Sequence, residues 1–378
     1  MSFEKALAKV IADADAVNED DLVLLLGAAS EERKLLYDQA DILRGMWMGS
    51  EVHLRGVIEF SSCCSLNCLY CGLRADNKKL KRYRMIPGEI ISAARIAAEM
   101  GLKTIVLQSG QDPYYTKEML FEIIAALKEG LDVAVTLSLG VRSPKDLRAF
   151  REAGADRYLL KFETSDPGLF EKLRPGTNLR DRLECLCLLK ETGFQVASGN
   201  IIGLPGQTLT TLARDILLLR ELDVVMAGVG PFVPHPDTPL GRDARGDLEK
   251  TLNALAVTRL LLPYFHLPAT TALDAVHPRG RRLALQCGAN VVMPNVTPGH
   301  YREHYSIYPN KPGRGEDPRT TVKETRAMIS EMGRIEGKGY GHAPDRSYRP
   351  RRNLTRPGVA VARYLKKAGD LNECGGTE

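Results

Sequence analysis

The sequence predicts an α/β fold, a closed (β/α)8 barrel of the TIM type with an N-terminal helical extension. Three observations lead there. Short β-rich runs alternate with amphipathic helical stretches along most of the chain, which demands parallel strands joined by crossover connections. The runs number eight, enough to close a barrel. Nearly every run ends in polar residues or glycine, and this fold builds its active sites at the C-terminal ends of its strands. An open doubly wound sheet is the competing arrangement should one or two runs not be strands.

Residues 1–50 read as a helical cap. Ala6, Val10 and Ile11, then Leu22, Leu24 and Leu25, recur near helical spacing, and Glu32-Arg33-Lys34-Leu35-Leu36 continues the pattern. The barrel is expected over residues 51–310. Its strands are Val57 to Phe60, Thr104 to Gln108, Val133 to Leu139, Arg157 to Glu163, Gln195 to Ile202, Val224 to Val229, Leu267 to Leu273 and Ala289 to Pro294. Amphipathic helices lie between them, among them Ile90 to Glu99, Lys117 to Lys128, Asn178 to Glu191, Thr208 to Leu222 and Thr251 to Leu262. Residues 311–366 open on the Gly/Pro-rich loop Lys311 to Asp317 and are expected to cover the barrel. Residues 367–378 are expected to form a flexible tail.

Composition narrows the class. A chain of 378 residues with 44% hydrophobic content can bury a large core, and barrels of roughly 250 residues fold as one domain. No apolar stretch approaches the roughly 20 residues of a membrane-spanning helix. Met1-Ser2-Phe3-Glu4-Lys5-Ala6 lacks the basic-then-apolar plan of a signal peptide, so a cytoplasmic protein with reduced thiols is expected. Eight cysteines in a chain of this size do not make a disulfide scaffold. A net charge of +5 is small against 52 basic and 47 acidic side chains, so no nucleic-acid partner and no membrane partner are expected. Arg346, Arg349, Arg351, Arg352 and Arg356 form a basic run that reads as a solvated tail.

The chemistry begins directly after Val57-Ile58-Glu59-Phe60. Cys64, Cys68 and Cys71 stand there in a CxxxCxxC frame. Protein iron–sulfur clusters usually take four cysteine ligands, so three thiolates on a [4Fe-4S] cluster leave one iron open to a small molecule. S-adenosylmethionine fits that opening, because its amino and carboxylate groups chelate iron while the cluster supplies an electron to the sulfonium. A structural zinc site would need a further Cys or His ligand pair; none stands nearby, although His235 or Cys287 could approach from a distance. Cys63 could trade places with Cys64, yet only Cys64 completes the three-residue gap. Cys185 and Cys187 lie two apart on a helix, do not share a face, and read as packing residues.

Further stretches carry a family resemblance. They include Ile58-Glu59-Phe60-Ser61, Cys68-Leu69-Tyr70-Cys71-Gly72-Leu73-Arg74 and Arg82-Tyr83-Arg84-Met85. Downstream come Leu107-Gln108-Ser109-Gly110, Asp112-Pro113-Tyr114-Tyr115, Gly203-Leu204-Pro205-Gly206-Gln207-Thr208, Pro234-His235-Pro236-Asp237-Thr238 and Pro268-Ala269-Thr270-Thr271-Ala272. From about Val57 to Pro309 the chain resembles the radical S-adenosylmethionine enzymes, and among them the [FeFe]-hydrogenase maturases of HydE type. The resemblance implies that Ser109, Gly110 and Gln111 receive the methionine amino group and that Arg182 holds its carboxylate. Glu163 and Ser138 would bond the ribose or amino-acid portion. Tyr70, Leu73 and the backbone of Ile202, Gly203 and Leu204 would line the adenine. Thr270, Thr271, Ala272, Met293 and Tyr308 would shape a substrate cavity.

The resemblance also implies a function. A 5′-deoxyadenosyl radical would act on a small molecule or small iron complex, a sulfur- or iron-containing precursor of the hydrogenase diiron site. A reductant such as ferredoxin or flavodoxin would supply electrons, and the maturases HydG and HydF would be partners. Competing readings are a methylornithine-synthase-like enzyme with another small substrate and a non-catalytic Fe-S carrier or scaffold. One departure stands out: Lys161-Phe162-Glu163 occupies a place where the family usually carries Arg and His before the glutamate. No cysteine lies between Cys287 and Cys374, so one cluster is expected.

Overall fold

In the computed structural model, residues 1–309, 311 and 316–344 are described. Eleven strands are found among them. They are β1 (Glu51–Leu54), β2 (Gly56–Ser61), β3 (Thr104–Ser109), β4 (Ala134–Ser138), β5 (Arg157–Leu159), β6 (Gln195–Ser198), β7 (Ile201–Ile202), β8 (Met226–Ala227), β9 (Gly230–Pro231), β10 (Val291–Val292) and β11 (Ile335–Glu336). The main sheet runs β2-β3-β4-β5-β6-β8, and every pairing in it is parallel. β-branched and aliphatic residues fill these strands because both faces are covered; every residue of β2 is buried.

Single bridges close the sheet on itself. Met226 pairs with His266, Pro268 with Val291, and Asn295 with Val57, all in parallel, so the chain around His266 and Pro268 serves as the seventh stave and β10 leads into the eighth. The expected strand Leu267 to Leu273 is therefore corrected to two bridges. Pro268 has no N–H to give a ladder, and the chain turns at Thr270 into the helix Thr271–Val276. The expected strand Gln195 to Ile202 is split into β6 and β7 at Gly199. A Cβ there would lie 2.2 Å from Gly228 O, so only glycine fits. β1 was not foreseen. It pairs with β10 on one edge and β11 on the other.

The outer helices show why the apolar spacing mattered. Helix Lys117–Gly130 starts where Thr116 Oγ1 accepts from Met119 N at 3.2 Å, and it buries Leu120, Ile123, Ile124 and Leu127 on one stripe. Helix Pro87–Glu99 begins with proline and buries Ile90, Ala93, Ala94 and Ala97. The cap consists of helices Phe3–Ala12, Glu19–Leu26 and Ser30–Met48, which pack on helices Leu209–Leu222 and Leu248–Leu261.

Below the barrel, the chain after β11 returns as a strap across the N-terminal ends of the strands. Arg55 Nη2 donates to Gly341 O at 3.0 Å, and Arg157 Nη2 donates to Tyr340 O at 2.6 Å. Both arginines are buried, at 1% and 0% exposure, and neither has a carboxylate partner among the described residues. Among the described residues no helix is long and apolar enough to cross a membrane. The basic run at Arg346 to Arg356, residues 345–366 and the tail 367–378 lie outside the described residues.

Candidate active site

The loop after β2 is held by backbone capture. Arg82 donates to four carbonyls: Nη1 to Ser62 O (2.6 Å) and Leu73 O (2.8 Å), Nη2 to Arg74 O (2.6 Å) and Asn77 O (3.3 Å). Ser65 N donates to Gln111 O, Leu69 N to Leu173 O and Gly72 N to Ile307 O, each at 2.9 Å. A loop with so many external anchors has one shape. It brings Cys64, Cys68 and Cys71 to a single cavity of about 400 Å³ at the C-terminal ends of the strands. Cys63 does not line it; its thiol faces Tyr83 O at 3.8 Å. Cys185, Cys187 and Cys287 are buried elsewhere.

Burial pushes the Cys68 thiol up, with the Arg174 guanidinium opposing, and burial likewise raises Cys71. Among the described residues no three His, Cys, Asp or Glu side chains converge on a point where a single metal ion would sit. A cluster makes no such demand, because each thiolate reaches a different iron.

The same cavity is lined by residues that the resemblance assigns to the cofactor. Ser109 and Gly110 end β3, with Gly110 N donating to Ser61 O at 3.2 Å. A Cβ on Gly110 would stand 2.2 Å from Cys63 O, so the glycine lets β3 meet the cysteine loop. Gln111 and Ser138 line the same wall. Glu163 adopts φ +70, a strained backbone for a residue with a side chain. Bonds from Glu163 N to Gly199 O (3.0 Å) and from Ile201 N to Glu163 O (2.8 Å) hold it there. Its carboxylate sits between Lys161 Nζ at 3.7 Å and Arg174 Nη1 at 3.9 Å. Burial lowers the Lys161 ammonium, and Glu163 opposes that shift.

Arg182, on helix Leu179–Glu191, is 6% exposed and lines the cavity. Among the described residues its guanidinium has neither a hydrogen bond within the chain nor an ion pair. Burial, then the charge of Arg174, lowers its affinity for the proton. A buried, unanswered fork of donors fits an absent carboxylate. Tyr70 and Leu73 line the cavity as well. Ile202, Gly203 and Leu204 do not; the neighbouring Ile201 does. Gln207 Oε1 accepts from Gly203 N (2.7 Å) and Leu204 N (3.3 Å), so those amides are already used.

On the far side of the cavity the structure gathers Thr270, Thr271, Ala272, Met293 and Tyr308. Thr270 Oγ1 is buried without a partner among the described residues. Several lining residues escaped the sequence reading: Glu59, Gln108, Arg174, Asn295, Tyr305 and Lys311. Glu59, 2% exposed, accepts from Asn295 Nδ2 at 2.7 Å and is paired with Lys311. Lys311 Nζ also lies 5.0 Å from the Tyr305 ring centroid, and Gln108 Nε2 donates to Tyr305 Oη at 3.3 Å. Glu59 was detectable as a charge inside an apolar β run. Arg174 and Lys311 stand in irregular segments that carry no periodic signal.

Comparison with known proteins gives the family. The profile of the Radical SAM superfamily matches residues 58–219. The [FeFe] hydrogenase maturase subunit HydE of Thermotoga maritima is 50% identical over 306 residues, covering 81% of this chain and 88% of that protein. The 3-methylornithine synthase of Methanosarcina acetivorans is 29% identical over 88% of this chain and 92% of its own. Among solved structures, methylornithine synthase (PylB) superposes with a TM-score of 0.79 at 26% identity, covering 88% of this chain and 97% of that one. The maturase HydG from Carboxydothermus hydrogenoformans, 20% identical, has the same fold with a TM-score of 0.76, over 98% of this chain and 86% of its own. The chain belongs to the radical SAM superfamily, among its HydE-like members.

Proposed function

We propose that this radical SAM enzyme performs the HydE step of [FeFe]-hydrogenase maturation, acting on a small sulfur- or iron-containing precursor. The carrying observation is the meeting, in one cavity, of three cysteine thiols with the unanswered guanidinium of Arg182. Its cofactors are a [4Fe-4S] cluster and S-adenosylmethionine, as in the superfamily. When bound, this pair would supply reductive cleavage of the sulfonium by one electron, the chemistry that generates a 5′-deoxyadenosyl radical.

The chain's own residues then divide the work. Cys64, Cys68 and Cys71 would hold the cluster. Arg182 would take the methionine carboxylate, and the Ser109-Gly110-Gln111 backbone its amino group. Glu163 and Ser138 would bond the ribose, while Tyr70, Leu73 and Ile201 would border the adenine. Thr270, Thr271, Ala272, Met293 and Tyr308 would orient the substrate, and Thr270 Oγ1 supplies a hydroxyl without a partner among the described residues. Electrons would come from a ferredoxin or flavodoxin, and the maturation partners would be HydG and HydF.

Methylornithine synthesis is not favoured, given 29% identity to those enzymes against 50% to HydE. A passive cluster carrier would have no use for the strained Glu163 or for Arg182. The anaerobically reconstituted protein, supplied with dithionite and S-adenosylmethionine, is expected to release 5′-deoxyadenosine, and the gene to restore hydrogenase activity in a strain lacking its maturase. Absence of 5′-deoxyadenosine from a protein with a full cluster defeats the enzymatic reading. Release of the nucleoside without complementation defeats the maturation role alone.

A further inference from the structure

Between Cys68 and Cys71 the chain is gripped at two successive residues by two successive residues of another segment. Leu69 N donates to Leu173 O at 2.9 Å, and Tyr70 Oη accepts from Arg174 Nη1 at 2.7 Å. Leu173 ends the short helix Pro167–Leu173, and with Leu204 and Phe232 it packs against Tyr70. Arg174 is 6% exposed and lines the cavity beside the cysteines. Its Cζ lies 5.4 Å from the Phe170 ring, and its Nε has no partner among the described residues.

Arg174's charge is only partly answered. Glu163 Oε1 stands 3.9 Å from Nη1, beyond hydrogen-bond reach, and the same carboxylate faces Lys161 at 3.7 Å. Arg182 adds a third cation to the same wall. Three cations facing one carboxylate make this wall positive, and in a partly desolvated cavity such a charge is felt several ångströms away.

We propose that Arg174 is a positioning residue of the cofactor site: it pins Tyr70 within the cysteine loop, and its fixed positive charge makes the cluster easier to reduce. This rests on the assignment of Cys64, Cys68 and Cys71 as the cluster ligands. Reduction moves one electron from an external low-potential one-electron donor onto the cluster and makes or breaks no bond. The reduced cluster carries one more negative charge, so a nearby cation favours it, and the charge of the surroundings is one of the levers that set such potentials. The hydrogen bond and the charge are separable, because Tyr70 needs a donor while the cluster needs a cation.

The test uses the reconstituted full-length protein and its Arg174→Gln, Arg174→Lys and Tyr70→Phe variants. Iron and sulfide content, the midpoint potential by titration followed with electron paramagnetic resonance, and the spectral change on adding S-adenosylmethionine are measured. Arg174→Gln is expected to bind a cluster of lower midpoint potential, with a smaller fraction reduced by a fixed dose of dithionite. Arg174→Lys is expected to return the potential to the wild-type value. Tyr70→Phe should keep that potential and alter only the spectral response to S-adenosylmethionine. An Arg174→Gln protein with a full cluster and wild-type potential overturns the proposal. If that variant fails to load, Arg174→Met combined with Tyr70→Phe takes its place: a midpoint potential below that of Tyr70→Phe alone supports the proposal, and an equal potential overturns it. A wild-type protein that cannot hold a cluster would sink the ligand assignment instead.

Discussion

Adding one methyl group at Gly110 should damage the cluster site more than the fold. The new Cβ would sit 2.2 Å from Cys63 O, 2.9 Å from Cys63 C and 2.7 Å from Cys64 Cβ. Carbon contacts settle near 3.5–4.0 Å, so about 1 Å must be found. β3 cannot supply it, because Gly110 N is tied to Ser61 O at 3.2 Å and Ser109 is in register with Ser61. The cysteine loop must yield. Overpacking of this kind costs about 1–3 kcal/mol, a fall in Tm of roughly 2–10 °C for a large domain. Displacing Cys64 by about 1 Å is far more serious for metal binding, where ligand distances tolerate only ~0.2 Å. Gly110→Ala should therefore fold and melt somewhat early, yet retain well under half the wild-type iron after anaerobic reconstitution. Gly88→Ala, on a helix with nothing within 4 Å of the added atom, is the matched control and should load fully. Full iron content in Gly110→Ala would refute the argument that this close approach sets the position of Cys64.

Three further outcomes follow from other contacts. Arg82→Lys, which cannot span the four carbonyls now held by one guanidinium, should cost about 2–4 kcal/mol in denaturant unfolding of the cluster-free protein; an unchanged unfolding midpoint would contradict the view that these four bonds hold the loop after β2. His53 lies beneath the barrel, where burial first and then Arg55 and Arg157 push it down to about 4. The unfolded chain titrates near 6.5, so His53's contribution is fully present above pH 6.5 and is lost as the pH falls toward 4, about 3 kcal/mol in all. Asp215, pushed up to about 7 by burial, loses stability in the opposite direction over an overlapping range. The measurement is therefore the difference between wild type and His53→Gln, which should vanish from that window's slope if His53 is not its source. Lys311→Met leaves the Glu59 carboxylate buried with Asn295 as its remaining side-chain partner among the described residues, at a cost of about 3–5 kcal/mol. Adding Glu59→Gln should recover most of that loss, and additive losses in the double variant would show that the two groups do not act as a pair.

Much of this architecture was readable in the sequence because parallel strands buried on both faces leave continuous β-rich runs. Val57 to Phe60 and Thr104 to Gln108 appear nearly unchanged as β2 and β3. The seventh run failed for a local reason: Pro268 removes a ladder donor, and two threonines that favour strands by type instead open a helix. β1 escaped because Glu51–Leu54 alternates half-buried and buried residues on a short stretch, and its partners lie far away in the chain. In the site, polar strand ends such as Ser109 and Glu163 announced themselves. Strand parity did not: along β7 it is Ile201 that faces the cavity, with Ile202 turned into the wall. Arg174 and Lys311 could not be placed from the sequence, since each reaches the cavity from an irregular segment whose course depends on tertiary contacts.

The distribution of charge argues that stability did not design this barrel's interior. The cavity wall carries Lys161, Arg174, Arg182 and Lys311 against Glu59 and Glu163, and at the closed end Arg55 and Arg157 are buried without an ion pair among the described residues, Arg157 feeling only the more distant charge of Asp156. Buried cations without partners cost several kcal/mol each, so each set needs its own compensation. At the closed end, compensation comes from within the chain: carbonyls of Tyr340 and Gly341 accept from the two guanidiniums, and the strap is thereby fastened beneath the strands. At the open end no such carbonyls among the described residues are supplied to Arg182. There, under the proposed function, the balance would be met by what the site binds, since a cluster carried on three thiolates is an anion and the methionine carboxylate is another. Lys161 then acquires a meaning beyond its departure from the usual arginine. Its compact ammonium, lowered by burial and shared with Glu163, would supply charge where the proposed cofactor and substrate meet, without the fixed fork of a guanidinium. Lys161→Arg should therefore leave cluster loading intact and change the affinity for S-adenosylmethionine or the fate of the substrate, measured as 5′-deoxyadenosine formed with and without substrate present. A fall in iron content in that variant would place Lys161 among the residues that shape the cysteine loop and would undo the separation of the two halves of the cavity.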